Sequence, residues 1–395
     1  MTARREVWIT GVGLLTCLGE GLETIWSHLE RGDPPPYDDK SFAPYVVHPL
    51  APMSFDKHIP KKSDQRQMET WQRVGVYTAG MALSDAGIAG KPELLDHTDM
   101  IVDAGGGERD IAVDTAILSG MRKVAEPAAF LNERLMSDLR PTLFLAQLPN
   151  LLAGNISLIH GVVGSSRTFM GEEGAGVDAV RVAQARIAAG QSELTLVGGS
   201  YHGPRWDVLF SFELTNAPLQ GKFAPVWDRG PHGGLAFATM GAFLVLESRE
   251  HAQARGARPK ARISEVYSDR NLRKPGDIET TLRRQLETIG PQLERDHAAV
   301  ISGASGLEPA TAAELSVLKE LGLPVRNAGT YIGHGVDAQF AANIGIASAA
   351  LEHGKLFVPA GSGDTGESPP ALSQILVTSV GNWRGEGLAL ITRAQ

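Results

Sequence analysis

The stretch Arg167-Thr168-Phe169-Met170-Gly171, running directly into Glu172-Glu173-Gly174-Ala175-Gly176, decides how the chain is read. Residues 172–189 suit a helix with small side chains on several faces, so another backbone can approach it closely. A group held in the turn before such a helix meets unpaired backbone amides and the positive end of the helix dipole. That environment stabilises a thiolate, and the turn therefore suits an acyl-accepting thiol. After the helix, Leu194-Thr195-Leu196-Val197-Gly198-Gly199-Ser200 reads as a buried strand.

Working outward, residues 7–16 form an apolar, β-branched run interrupted by two glycines, and residues 21–32 read as a short amphipathic helix closed by glycine. Residues 33–65, rich in Pro, Asp and Lys, are expected to be a long surface excursion. A helix follows at about 66–87, then the strand Met100-Ile101-Val102-Asp103-Ala104, which runs into Gly105-Gly106-Gly107. Residues 108–160 read as mostly helical, with breaks at Pro141 and Pro149. Beyond about 235 the alternation begins again. Strands are expected at 242–248, 261–267, 298–303, 375–380 and 388–392, with helices at 276–294, 310–321 and 335–353. Alternating strands and helices imply a largely parallel sheet covered on both faces. The similar order of elements divides the chain into halves, 1–245 and 246–395. With no Pro/Ser linker at the seam, the halves are expected to share one core.

Of the 395 residues, 43% are apolar and 21% charged, enough to bury a large core, and disorder is not expected. A net charge of −8 without long blocks of like charge argues against a nucleic-acid surface and against a polybasic membrane anchor. Cys17 is the single cysteine, so no internal disulfide can form and a cytoplasmic setting is expected. No stretch approaches the ~20 apolar residues of a membrane span, and the start lacks the apolar run of a signal peptide.

The turn around Met170, the small-residue helix, Ala188-Ala189-Gly190-Gln191-Ser192-Glu193 and Val197-Gly198-Gly199-Ser200 together resemble the nucleophile region of the β-ketoacyl-acyl carrier protein synthases. Val7-Trp8-Ile9-Thr10-Gly11-Val12-Gly13, residues 224–250 and Tyr331-Ile332-Gly333-His334-Gly335 are similar to further segments of that family, in the same order. The resemblance implies an α/β thiolase-like fold, two similar halves in a layered αβαβα arrangement with mostly parallel mixed sheets. It also implies an acyltransferase ancestry in which a cysteine accepts the acyl chain and two histidines assist decarboxylation and stabilise the enolate. Under it the cysteine position falls on Met170, whose thioether has no proton to lose. One histidine position falls on Ala304, a lysine position on Gly329, and the closing glycine-rich turn reads Gly381-Asn382-Trp383-Arg384. Only His334 survives.

The resemblance therefore points to a non-condensing subunit of the chain-length-factor type in fatty-acid or polyketide/polyene elongation. Such a subunit pairs with an active synthase and meets acyl carrier protein or an acyl thioester; a homodimer is the other arrangement. Phe169, Met170, Asn382 and Trp383 are expected to line the acyl pocket, with no cofactor and no metal. His334, flanked by glycines, reads as a hydrogen-bonded structural histidine ahead of a residual catalytic base. A diverged acyltransferase or malonyl decarboxylase using His334, and a homodimer that binds acyl chains or carrier protein, are the competing readings. Glu172 and Glu173 read as acids that complement the helix dipole. Ser165, Ser166 and Thr168 have no partner base, Cys17 is expected to be buried and inert, and Gly105-Gly106-Gly107 is read as a turn, not a phosphate loop.

Overall fold

Val7–Thr16 forms one unbroken strand, β1, and all ten of its residues are buried, as in a strand covered on both faces. The two glycines do not interrupt it. They admit the helix Thr70–Asp85: a Cβ on Gly13 would overlap the Thr78 carbonyl oxygen and stand 2.8 Å from Ala82 N, and one on Gly11 would stand 2.7 Å from Ala86 Cβ. The computed structural model describes residues 4–139 and 141–394, so the extreme N-terminus and Arg140, beside the expected break at Pro141, lie outside the described residues.

The remaining strands are β2 (Gly19–Glu20), β3 (Val47–His48), β4 (Asp99–Asp103), β5 (Ser166–Phe169), β6 (Leu194–His202), β7 (Phe237–Ser248), β8 (Ala261–Asp269), β9 (Ala298–Ser302), β10 (Val325–Asn327), β11 (Gln374–Val380) and β12 (Glu386–Thr392). Their order is β10-β9-β11-β12-β8-β1-β7-β6-β4-β5. It contains the same five-strand pattern twice. In the first half β5, β4 and β6 run parallel, and β6, β7 and β1 alternate in direction. In the second, β10, β9 and β11 run parallel, and β11, β12 and β8 alternate. The halves join where Val7–Ile9 of β1 pairs with Ala261–Ile263 of β8. The expected mixed pairing is present: along this order the parallel pairs fall among the three outer strands of each half, and the short β3 adds a parallel pair with β7.

Helices Glu173–Ala188 and Gln339–His353 pack on one another and on strands of both halves, forming the middle layer. Every residue from Gln339 to Leu351 is buried, which explains why that helix is so rich in Ala and shows no polar face. Thr70–Asp85 covers the outside of β1, β6 and β7, while Asp277–Ile289 and Ala310–Leu321 cover the outside of the second half.

The structure departs from the sequence reading at several places. Within the excursion 33–65, Tyr45, Val46, Val47 and His48 are buried and Val47 pairs with Phe237, so it is only partly a surface segment. The turn before Met170 is the strand β5. β10 and the helix Trp206–Glu213, both too short to show a period, were not anticipated. The helix expected over 276–294 stops at Ile289 because Gly290 and Pro291 follow. β7 runs through residues 245 and 246, and Ser248 caps the helix after it by accepting from His251 N at 3.3 Å.

The close approach at β1 sets an expected outcome. Gly13→Ala should destabilise by about 1–3 kcal/mol through forced backbone shifts. Gly174→Ala, where a Cβ meets nothing within 4 Å, should stay within about 1 kcal/mol of wild type. Denaturant unfolding of the two variants, with an equal slope, checks the contrast.

Candidate functional site

His334 is held by backbone before its ring is considered. Its N–H donates to Ala236 O (2.8 Å) and its carbonyl accepts from Ala238 N (2.9 Å), which ties the segment after the short helix Gly329–Ile332 to the start of β7. Gly333 permits this at φ 71°, because a Cβ there would stand 2.7 Å from the His48 ring and 2.9 Å from Ala238 Cβ. The ring then points into the protein interior. Its Nε2 lies 3.1 Å from Glu173 Oε1, and both residues are 4% exposed. Glu173 is the first residue of the central helix, and its Oε2 also accepts from Asn382 N at 3.4 Å.

Burial pushes the Glu173 carboxyl up, but the hydrogen bond and charge of His334 and the Asn382 amide outweigh it and leave the group below the usual carboxylate range. An ionised carboxylate only accepts, so Nε2 of His334 carries hydrogen and donates it. That nitrogen is not free to act as a base.

Beside this pair lies a cavity of about 670 Å³ whose walls include Met170, Gly171, Glu172, Trp383, His202, Arg205, Val336 and Asp337, together with the glycines 105–107. Met170 is 65% exposed and Trp383 stacks on Phe212 with ring centres 5.3 Å apart. Of the four residues expected at the pocket, Met170 and Trp383 lie on the wall of this cavity. Phe169 is half-buried against the core, and Asn382 contributes its backbone to Glu173 while its side-chain Nδ2 is buried without a partner.

Glu172 is raised by burial first and by the neighbouring Glu173 charge second. His202 is driven down to about 3, mainly by burial and then by Arg205, and its Nδ1 lies 2.8 Å from Thr239 Oγ1. Arg205 is committed to Asp207 (2.6 and 3.0 Å) and to Gly107 O (3.0 Å). Val336, a β-branched residue, sits at φ 39° on the cavity wall, a strained conformation that its neighbours must hold in place.

Ala304 and Gly329 lie elsewhere, around Asn327. The Asn327 Nδ2 donates to Ala304 O (2.9 Å) and to Ser302 O (3.3 Å), and a Cβ on Gly329 would stand 3.0 Å from Asn327 Oδ1. Cys17 is buried, its thiol pushed up to about 12 chiefly by burial, with Sγ 3.4 Å from Tyr331 O. Ser166 is exposed on β5. Among the described residues no three His, Cys, Asp or Glu side chains converge to hold a metal ion.

With this geometry in place, comparison with known proteins gives a consistent result. The model of the β-ketoacyl synthase N-terminal domain matches residues 4–213. The chain belongs to the β-ketoacyl synthase family. It is similar to a 3-oxoacyl-[acyl-carrier-protein] synthase 2 of Vibrio harveyi, 24% identical over 274 residues, which is 66% of this chain and 62% of that protein. The match to that relative thus spans less than two thirds of its length. An oxytetracycline polyketide putative beta-ketoacyl synthase 1 of Streptomyces rimosus is 23% identical over 373 residues, 89% of this chain and 85% of the relative. Two solved structures, a β-ketoacyl synthase from Burkholderia phymatum and the ishigamide ketosynthase/chain length factor, superpose with TM-scores of 0.81 at 19% identity. They cover 99% and 100% of this chain and 100% of each of those chains. At that identity they establish the fold.

For this ketosynthase-family chain, sequence reasoning missed the role of Glu173. It assigned the residue to the helix dipole, whereas the structure buries it against His334. A signal was present: an acid inside the first turn of a helix whose other residues are small will face the packed side. Asp103, an acid closing an otherwise apolar strand, and Asp337, an acid inside an apolar segment, carried similar signals.

Glu173→Gln should cost about 1–3 kcal/mol by leaving the imidazole without its carboxylate. Because the folded-state Glu173 lies below its unfolded value, its contribution is present above the ordinary carboxylate range and is lost as pH falls through the folded value. Thermal melts across that acid range should show a steeper loss in wild type than in Glu173→Gln.

Proposed function

We propose that this chain is a non-condensing subunit of a β-ketoacyl synthase, of the chain-length-factor type, which pairs with an active synthase in fatty-acid or polyketide/polyene elongation. The observation that carries this reading is the buried contact between Glu173 and His334. The one histidine that the family resemblance retains has its Nε2 hydrogen committed to a carboxylate, directly beside a turn where the sulfur, Met170, is a thioether. A thioether forms no thioester, and Ala304 supplies no second base. The chain nevertheless keeps a cavity of about 670 Å³ at that turn, with Met170 and Trp383 on its wall, which suits a site retained for its shape.

The surface supports a partner. β5 ends the sheet and pairs only with β4 among the described residues, and its Ser166 and Arg167 are exposed. Its counterpart in the other half, β10, is buried and closed off, with Val325 exchanging two backbone hydrogen bonds with Thr365 (3.0 and 3.1 Å). An open edge is a template for another chain. Near it lie exposed apolar side chains: Leu158 (74%), Val163 (57%) and Met170 (65%). Larger exposed apolar patches mark contact surfaces. Among the relatives, the ishigamide protein is a ketosynthase/chain length factor, and another similar structure is a type II acyl-carrier protein in complex with its ketosynthase. By extension the ligands here are an acyl thioester and acyl carrier protein, in a heterodimer. No helix among the described residues is long and apolar enough to cross a membrane.

The purified chain should neither release CO₂ from malonyl-carrier protein nor show an acyl adduct by intact mass, and should co-purify one-to-one with its synthase. Met170→Cys should become acylated or alkylated at the new thiol yet still fail to condense, because the base is absent. Unaided condensation by the wild-type chain overturns the reading. A homodimer that binds no synthase favours an acyl- or carrier-protein-binding module instead.

A further inference from the structure

Two interior carboxyl groups take part in none of the contacts described so far. Asp103 closes β4, and Asp337 follows the strained Val336 at the cavity wall. Both are 0% exposed, and none of their four carboxyl oxygens has a hydrogen-bond partner. The groups facing Asp337 are Asp103 from β4, Glu173 from the central helix and the half-buried phenol of Tyr201 from β6, all acidic. Asp103 in turn faces Asp337 and the glycine backbone. No arginine, lysine or histidine is ion-paired with either aspartate among the described residues.

Glycines make the space for both groups. A Cβ on Gly199 would overlap Asp103 Oδ1, one on Gly105 would stand 2.5 Å from Asp337 Oδ2, and one on Gly176 would stand 3.3 Å from Asp103 Oδ2 while overlapping the Asp337 carbonyl. Glycines of β6, of the central helix and of the turn after β4 thus stand against these two side chains.

Two ionised carboxylates cannot share a dry interior without a cation, since burial and mutual repulsion both favour the neutral form. We propose that Asp103 and Asp337 hold at least one proton between them at neutral pH, as an acid pair at the cavity wall that makes the packing of the segment 334–337 against β6 and the central helix conditional on pH. Glu173, facing His334, is then the one ionised carboxyl of the three. The direction of titration agrees: burial holds both aspartates well above the aspartate range, with the Asp103 charge adding to the effect at Asp337. Since the folded values exceed the unfolded ones, the stability that the pair contributes is full below the ordinary aspartate range and is lost as pH rises through the folded values. This is opposite in sign to Glu173. As pH rises, the pair releases first one proton and then the other to solvent, leaving two adjacent buried carboxylates and a driving force for the segment to open. The proposal rests on this chain's own interior and stands or falls independently of the reading as a non-condensing subunit.

The test uses the whole chain. Asp103→Asn and Asp337→Asn keep the shape and remove one titrating group each. The fall in thermal midpoint between about pH 6 and about pH 9 should be at least halved in either variant. Infrared spectra of wild-type protein with carboxyl-labelled aspartate at neutral pH should show a protonated aspartic acid, also in an Asp364→Asn background, which removes the other aspartate that burial raises. Parallel pH profiles for wild type and both variants overturn the proposal. If the variants do not fold, a wild-type spectrum in the Asp364→Asn background with every aspartate ionised overturns it as well.

Discussion

A carboxylate and an imidazole that share a hydrogen bond out of reach of water depend on one another, and much of this molecule is arranged around one such contact. Glu173 opens the central helix of the first half, and His334 belongs to the second. Their bond crosses the middle layer and fixes the turn at Met170 relative to the segment 333–337. Removing either partner leaves the other buried and uncompensated, a larger penalty than the net value of the pair itself. The same bond bears on the proposed role. A histidine whose Nε2 hydrogen is given to a carboxylate serves as a fixed donor, not as a proton acceptor.

Charge in this interior is sorted by partner. Of the three carboxyls clustered at the cavity, one accepts hydrogen bonds from His334 and the Asn382 amide and lies below the ordinary range, and two are buried without an ion-pair partner and lie above it. At the cavity wall Arg205 is neutralised by Asp207. Coulomb's law in a poorly polarisable medium makes unpartnered charge expensive, so these pairings decide which groups can carry charge at all. The cavity that results is bounded by a thioether, an indole, glycine backbone, an arginine already paired with Asp207, and the carboxyls of Glu172 and Asp337.

The repeated five-strand pattern gives the two halves nearly the same frame, yet their outer edges differ. In the second half Val325 is sealed by Thr365, and the Arg326 guanidinium donates to the carbonyls of Phe357, Thr365 and Gly366 (2.6, 3.0 and 3.1 Å), pinning the covering segment down. In the first half β5 has no such cover among the described residues. An open strand edge beside exposed Leu158 and Val163 is a liability for a monomer and an asset for a subunit.

The sequence by itself determined the alternation of strands and helices, the positions of β1, β4, β6, β8 and β9, the duplicated order of elements, and the small-residue helix behind Met170. Those features are written in local periodicity and in glycine spacing, which neighbouring residues read directly. The family resemblance, and with it the significance of Met170 and Ala304, also came from linear order. Only the tertiary structure decided that Glu173 faces His334, that Asp103 and Asp337 meet among glycines of β6, the central helix and the turn after β4, and that Tyr45–His48 is drawn under β7. Residues 161 positions apart in the chain make the first of these contacts. No local pattern encodes such a pairing. What brings the residues together is the packing of the two central helices between the sheets, and burial then changes what each acid can do: the dipole-facing glutamate expected from the sequence becomes the hydrogen-bond partner of His334, and two unremarked aspartates become groups whose burial favours the neutral form.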